Sequence, residues 1–174
     1  MRRLLLLRHA KTERAKPGER DSERELTPRG RTDASAIGAY MARHGFVPDL
    51  ALVSPATRAE ETWTLIAAAF AEPPRVIKER LLYNAGVDRL DGIIREAGDA
   101  RALLVVGHNP GLHDLAVALI ASGDTTARER VNDKLPTSGL VVIDLPVDNW
   151  SRLKAKAGRL ERFVSPRLLE TATD

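Results

Sequence analysis

Residues 102–110 read Ala-Leu-Leu-Val-Val-Gly-His-Asn-Pro, and this stretch carries the clearest structural signal in the chain. The apolar run from Ala102 to Val106 has the length of a strand that is buried on both faces. Gly107-His108 follows it, and Asn109-Pro110 predicts the start of a helix. Ligands of open α/β sheets bind at the carboxyl ends of the strands. His108 is therefore a candidate functional residue by its position alone.

The same order of strand, turn and helix recurs along the chain. Helices are predicted to begin at Thr27-Pro28, Ser54-Pro55 and Asn109-Pro110, and a further helix carries Leu90 and Ile94 at helical spacing. Such alternation is typical of parallel β-α-β units. We therefore expect an α/β fold of three layers, α-β-α, with a mostly parallel sheet. The predicted strands are residues 3–8, 50–53, 75–78, 102–106 and 140–145, with 158–164 as a further candidate.

Length and composition indicate an ordinary globular protein. The 174 residues are 43% hydrophobic and 29% charged, and we expect one domain over residues 1–174. The chain has no cysteine, which excludes disulfide scaffolds and cysteine-based catalysis and suits a cytoplasmic location. No segment reaches the roughly 18 apolar residues of a membrane span. The Leu4–Leu7 run is shorter than the apolar core of a secretory signal, about 7–15 residues.

The charge pattern gives no sign of a nucleic-acid or membrane partner. The net charge is only +3, aromatic residues are 4% of the chain, and no basic run is interleaved with them. The polar stretch from Lys11 to Glu25 holds five basic and five acidic residues, so its charges cancel. It is predicted to be a solvated loop. Because it directly follows His9, a contact with the substrate stays open.

Two histidines and two arginines fall at three predicted strand ends. Arg8 and His9 end the first strand, Arg58 lies in the first turn after the second, and His108 follows the fourth. Helix N-termini beside them add free N–H groups, so the rim is expected to bind an anion. No carboxylate is expected among these groups, and this favours phosphate. A neutral imidazole can attack phosphorus, while arginines stabilise the charge that develops.

Five motifs, three of them at these strand ends, resemble one known family. Three segments are similar to the three motifs of the histidine phosphatase superfamily, whose fold is phosphoglycerate-mutase-like. They are Leu7-Arg8-His9-Ala10-Lys11-Thr12, the segment from Ser54 through Arg58 to Thr62, and Gly107-His108-Asn109-Pro110. Leu26-Thr27-Pro28-Arg29-Gly30-Arg31 and Pro136-Thr137-Ser138-Gly139 most resemble the SixA-type phosphohistidine phosphatases. Each motif is weak alone, but the motifs occur in the family's order.

The resemblance implies a hydrolase that works through a phosphohistidine intermediate. His9 would be the nucleophile, and Arg8, Arg58 and His108 would form the phosphate pocket, with Asn109 as a further substrate-binding residue. No metal or other cofactor is implied. The partner would be a phosphorylated protein or a small phosphorylated substrate. Two alternatives remain open, namely a small-molecule phosphomonoesterase on the same scaffold and a phosphate-binding module without turnover.

The chain departs from the mutase branch of this family at one position. Relatives of that branch carry a glutamate general acid in a stretch similar to Arg80-Leu81-Leu82-Tyr83, where this chain has Tyr83. Glu79 and Asp88 lie nearby but out of register. Alkoxide leaving groups need a proton, whereas a protonated imidazole leaves without one. The missing glutamate therefore favours a phosphohistidine substrate, and Tyr83 is expected to pack in the core.

Several residues also have plain structural interpretations. Arg58 could pair with Glu61 on its own helix, and His108 could cap a turn. His44 and His113 are expected to be structural or exposed. Nucleotide-binding glycine loops and the Gly-x-Ser-x-Gly elbow are absent from the sequence.

Overall fold

A computed structural model describes residues 1–172, so positions 173 and 174 of the expected domain lie outside the described residues. Its centre is one seven-stranded sheet with strand order β3-β2-β4-β1-β6-β7-β5. The pairs β1–β4, β2–β4, β2–β3 and β5–β7 are parallel, and β6 runs antiparallel to both β1 and β7. The strands are β1 (Arg2–Arg8), β2 (Leu50–Val53), β3 (Arg75–Lys78), β4 (Ala102–Gly107), β5 (Ile120–Gly123), β6 (Leu140–Leu145) and β7 (Gly158–Val164).

Helices cover both faces of this sheet. One face packs mainly against α1 and α2, and the other packs against α3, α4 and α5. The three-layer α/β architecture and the mostly parallel sheet are therefore confirmed. The helices are α1 (Pro28–Arg43), α2 (Thr57–Ala67), α3 (Val87–Arg95), α4 (Gly111–Leu119), α5 (Thr125–Asp133) and α6 (Pro166–Ala172).

The central strands are apolar without interruption because both of their faces are covered. Leu4 and Leu6 of β1 lie in the core beneath α3 and α4, while Leu5 and Leu7 lie in the core beneath α1 and α2. All four are fully buried. Covering both faces removes the alternation of apolar and polar residues that a half-exposed strand shows. The apolar run of β1 therefore marks the middle of the sheet.

Local signals place the start of α1 correctly. Thr27 is its N-cap, and the Thr27 hydroxyl accepts a hydrogen bond from the amide of Gly30 at 2.9 Å. Pro28 occupies the first helical position, where no amide donor is needed. Gly30 packs closely on the chain after β1, since a Cβ there would lie 2.2 Å from the Lys11 carbonyl oxygen. The Leu-Thr-x-x-Gly motif thus holds α1 against the segment that follows His9.

Other element boundaries differ from the sequence prediction. α2 begins at Thr57 rather than at Ser54-Pro55, and α4 begins at Gly111 rather than at Asn109-Pro110. The sequence analysis missed β5, α5 and α6. Only Ile120 of β5 and Val131 of α5 are buried, and α6 buries no residue. Elements with so few buried residues have no clear apolar period for a sequence analysis to detect.

Candidate active site

His9 directly follows β1, and one of its ring nitrogens is hydrogen-bonded within the protein. Its Nδ1 lies 2.8 Å from the carbonyl oxygen of Ala10, which can only accept, so Nδ1 carries the proton. The lone pair is therefore on Nε2. The backbone amide of His9 donates to Gly107 O at 3.2 Å, and Ser138 N donates to His9 O at 3.1 Å. The backbone of His9 is thus held between β4 and the segment before β6, and the Ala10 carbonyl orients the ring.

His108 follows β4, the strand beside β1, and lies next to His9. The two ring centroids are 5.3 Å apart. Ser54 Oγ is 2.7 Å from His108 Nε2 and accepts the amide of Ala56 at 3.3 Å. The arrangement that satisfies these groups has the Ser54 hydroxyl donating to Nε2, which leaves the proton of His108 on Nδ1. That Nδ1 is buried without a partner among the described residues.

The two arginines complete a group of donors around these rings. Arg58, in the first turn of α2, is 5% exposed. Arg8 donates from Nη1 to Leu135 O at 3.2 Å, while its buried Nε has no partner in the part of the chain described. Asn109 donates to the same Leu135 oxygen at 2.8 Å. The structure therefore brings together all five residues predicted for the site, and two unpaired buried donors, Arg8 Nε and His108 Nδ1, lie among them.

Burial keeps both histidines neutral. Loss of solvation lowers the pKa of His9 to about 3 and that of His108 to about 4, and the neighbouring arginines add to the effect. Burial also lowers the pKa of Arg8, with a contribution from the positive charge of Arg58. A neutral imidazole therefore stands among cationic and N–H donors. This combination suits nucleophilic attack on an anionic group.

A carboxylate also reaches this site, which corrects the expectation of an anion site without one. Asp21 lies in a short 3-10 turn, Asp21–Glu23, within the loop that follows His9. Arg58 Nη1 donates to the Asp21 carbonyl at 2.7 Å, and Arg58 Nη2 donates to Asp21 Oδ2 at 3.1 Å. The Tyr83 hydroxyl donates to the same Oδ2 at 2.5 Å. The loop of residues 11–25 is thus tied to the site by Asp21.

Tyr83 belongs only partly to the core. Its ring packs against the cluster beneath α1 and α2, but it also meets the edge of the His108 ring at a centroid distance of 5.5 Å. The Arg58 guanidinium carbon is 5.9 Å from its centroid. The expectation of simple core packing is therefore corrected, because the hydroxyl end of Tyr83 lies at the site.

The other sequence candidates lie outside this cluster. Glu79 caps the 3-10 turn Arg80–Leu82 by accepting from Leu81 N, and Asp88 is exposed in the first turn of α3. Glu61 pairs with Arg31 at 2.6 Å rather than with Arg58.

His113 donates to Val131 O, and the His44 ring lies against that of Tyr40 at the end of α1.

Sequence reasoning gave no role to three residues that support the site. Ser54 orients His108, and Asp21 binds Arg58. Thr62 Oγ1 accepts the amide of Ala10 at 2.9 Å and donates to Arg58 O at 2.7 Å. Ser54 and Thr62 stood in the quoted motif, and their fixed spacing around Arg58 was the available signal. Asp21 had no such signal, since it is one of five acidic residues in the loop.

Comparison with known proteins identifies the family. The model of the histidine phosphatase superfamily (branch 1) matches residues 4–102. An uncharacterized protein of Mycobacterium tuberculosis (strain H37Rv) is 34% identical over 164 residues, which is 92% of this chain and 100% of that protein. An uncharacterized protein of Mycobacterium leprae is also 34% identical, over 166 residues, with 92% and 100% covered. The chain belongs to the histidine phosphatase superfamily, a superfamily of phosphatases.

Solved structures add a likeness within the superfamily. A protein of Agrobacterium tumefaciens, provisionally named phosphohistidine phosphatase SixA, superposes with a TM-score of 0.81 at 31% identity, covering 95% of this chain and 98% of that one. A similarly named protein of Nakamurella multipartita gives 0.81 at 26% identity, with 95% and 96% covered. A SixA structure with tungstate gives 0.72 at 20% identity, covering 96% and 99%, and shows the common fold.

The described residues contain no helix that is both long and apolar enough to span a membrane.

Proposed function

We propose that this protein is a metal-independent phosphatase that hydrolyses phosphohistidine in a phosphoprotein, with His9 as the nucleophile. The observation that carries the proposal is the state of His9. Its Nδ1–H is held by Ala10 O, its Nε2 lone pair is free, and its pKa is about 3. Such a ring is ready to attack at neutral pH. The likeness to proteins named SixA supports the same substrate class.

Substrate binding would use the donors that the fold leaves without partners. Arg8 Nε and His108 Nδ1 are both buried and unpaired among residues 1–172. Unsatisfied buried donors are costly, so their presence together indicates a place built for an acceptor-rich group. Arg58 engages Asp21 through one N–H on each of two nitrogens and keeps its remaining N–H groups. A phosphoryl group supplies the oxygen acceptors that all three residues require.

The first chemical step transfers the phosphoryl group to the enzyme. The Nε2 lone pair of His9 forms a bond to phosphorus, while the bond from phosphorus to the leaving nitrogen breaks and its electron pair stays with that nitrogen. Arg8 and Arg58 neutralise the phosphoryl oxygens in the transition state. His108 adds a neutral Nδ1–H to the same oxygens. The Nδ1–H bond to Ala10 O stabilises the positive charge that His9 gains.

The second step returns the enzyme to its starting state. Water attacks phosphorus and its two protons stay on the phosphate that forms, while the bond from phosphorus to Nε2 breaks and its electron pair returns to His9. The products are inorganic phosphate and the free imidazole. The same arginines and His108 stabilise this transition state, because its charge lies on the same oxygens.

The protonation states of Asp21 and Tyr83 favour a nitrogen leaving group over an alkoxide. Hydrogen bonds from Tyr83, Arg24 and Arg58 hold the pKa of Asp21 well below its usual range. The hydrogen bond to Asp21 raises the pKa of Tyr83. Neither group therefore offers a proton readily at neutral pH. An alkyl ester needs such a proton, worth about 10²–10⁴-fold in rate, while a phosphoimidazole that is already protonated does not.

Isolation of the phosphorylated enzyme tests the proposal. After brief mixing with a labelled phosphohistidine protein, the enzyme is expected to carry label that is lost in acid and kept in base, as phosphohistidine requires. His9→Ala should lose both the label and turnover, and EDTA should leave turnover unchanged. Absence of label in the wild type, or normal turnover of His9→Ala, would overturn the mechanism. Faster cleavage of phosphorylated metabolites than of phosphohistidine would favour the phosphomonoesterase alternative.

A further inference from the structure

The Asp21 carboxylate is out of place in a pocket that binds an anion. It lies against Arg58, which is expected to contact the phosphoryl group, and a negative charge there opposes phosphate binding. Removing this carboxylate would strengthen the binding of any substrate whose only charge is negative. A carboxylate at this place holds Arg58, but it favours substrate binding only when another part of the substrate carries a positive charge or a strong N–H donor.

The position of Asp21 is at the mouth of the pocket. His9, His108 and Arg58 are 7%, 5% and 5% exposed, whereas the side chain of Asp21 is half exposed. The nucleophile therefore forms the floor. In an in-line transfer the leaving group departs on the side opposite the nucleophile, and from a buried nucleophile that side faces the solvent, where the Asp21 carboxylate and the Tyr83 hydroxyl are exposed.

The hydrogen bonds of Asp21 leave room for one more donor. Its Oδ2 accepts from Arg58 and from Tyr83, and its Oδ1 accepts from Arg24 Nη1 at 3.0 Å. A carboxylate has about four acceptor positions, so one remains on Oδ1. The carboxylate also stays ionised, because its three donors favour the charged form.

We propose that Asp21 is a specificity-determining residue that binds the ring N–H of a phosphorylated imidazole as the leaving group. This inference rests on the proposed function. The ring nitrogen that does not bear phosphorus donates to Asp21 Oδ1, and the carboxylate favours the protonated ring. When the bond between phosphorus and nitrogen breaks, its electron pair neutralises the ring, which leaves as neutral imidazole with its N–H intact. No proton is transferred in this step.

The surroundings of Asp21 allow its charge to be removed without moving Arg58. Among the described residues, four charged or titratable groups face Asp21. They are Arg24 from the same loop, Arg58 from α2, Tyr83, and His108 at the end of β4. The carbonyl of residue 21 also accepts from Arg58 Nη1 at 2.7 Å. That backbone contact does not depend on the side chain and should persist in Asp21→Asn, so the variant tests the charge more than the placement of Arg58.

The experiment compares two probes, phosphoimidazole and p-nitrophenyl phosphate, in wild type and Asp21→Asn. Loss of a hydrogen bond to a charged group is expected to lower kcat/KM for phosphoimidazole by about ten- to a hundredfold. The rate with p-nitrophenyl phosphate, whose leaving group is an anion, should fall much less than the rate with phosphoimidazole, or should rise. The alkaline limb of the kcat profile for phosphoimidazole should also move to lower pH, because the carboxylate no longer favours the protonated ring.

Glu23→Gln provides a matched control on the same 3-10 turn. Its carboxylate accepts from the backbone of Arg20 and does not contact the site, so both rates should stay within about twofold of wild type. An equal loss of kcat/KM on both probes in Asp21→Asn would show that Asp21 acts only through Arg58. Unchanged values on both probes would show that Asp21 has no role. Either result overturns the inference. Wild-type enzyme inactive on both phosphoimidazole and a phosphohistidine protein would instead refute the proposed function, and the inference with it.

Discussion

At the scale of single residues, the two buried histidines couple stability to pH. An unfolded histidine titrates near 6.5, whereas His9 and His108 do so at about 3 and about 4 in the folded protein. As pH falls from about 6.5 toward 4, the unfolded chain binds protons that the folded protein does not. Stability therefore falls with pH, by up to ~1.4 kcal/mol per pH unit for each histidine.

Urea unfolding at pH 7 and pH 4.5 measures this coupling. His108→Gln should make the fall in unfolding free energy between the two pH values clearly shallower. The lowered pKa of Asp21 acts in the same direction below about pH 4, so this window isolates the histidines. The control is His44→Gln, which removes an exposed histidine at the end of α1. An identical pH dependence in His108→Gln and wild type would contradict the assignment of neutral, buried His108.

We expect Tyr83 to determine how the rate depends on the basicity of the leaving group. Wild-type rates should fall steeply across phosphate esters of rising leaving-group pKa, because no group at the mouth offers a proton. Tyr83→Glu would place a second carboxylate beside Asp21, and two adjacent carboxylates raise the pKa of one of them. The variant is therefore expected to gain a proton donor and to show a shallower dependence. A flat series in the wild type would mean that an acid is already present.

At the scale of elements, Thr62 joins α2 to the chain that follows β1. Its hydroxyl accepts from Ala10 N and donates to Arg58 O. Thr62→Val keeps the shape but leaves the buried Ala10 amide without a partner, at a cost of about 1–3 kcal/mol. Thermal unfolding should show this loss. Thr64→Val, on the exposed side of the same helix, is the control and should change stability far less. Equal losses of stability in Thr62→Val and Thr64→Val would contradict the role of Thr62 in joining α2 to the chain after β1.

Elements also show why some features could be predicted and others could not. β1 and β4 were predictable because burial on both faces leaves a continuous apolar run. α1 was predictable because Thr27 and Pro28 act locally. The contact of Asp21 with Arg58 joins residues 37 positions apart, and nothing local in the sequence distinguishes Asp21 from the other acidic residues of its loop. Its position depends on how that loop folds back over α2.

The same distinction applies to the site. The positions of Arg8, His9, Arg58 and His108 were predictable because each lies at the end of a strand or in the first helical turn after one, and these strand ends meet at the same rim. The tautomers of the two histidines were not, because they depend on partners found only in three dimensions. Ser54 reaches His108 from the end of another strand.

At the scale of the whole molecule, β1 and β4 are inner strands of the sheet, with β2 and β6 outside them, and both histidines of the candidate site directly follow this pair of strands. Their amide protons should therefore exchange with deuterium only when the whole protein unfolds. At the base of the loop that carries Asp21, Thr12 pairs with Leu26 and the amide of Glu13 donates to Glu25 O. Most residues between these pairs are exposed, so their amides should exchange orders of magnitude faster. Mass spectrometry of exchange measures both rates in one experiment. Equal protection of the two regions would contradict this view, in which a rigid floor holds the two histidines and a less protected loop forms the mouth above them.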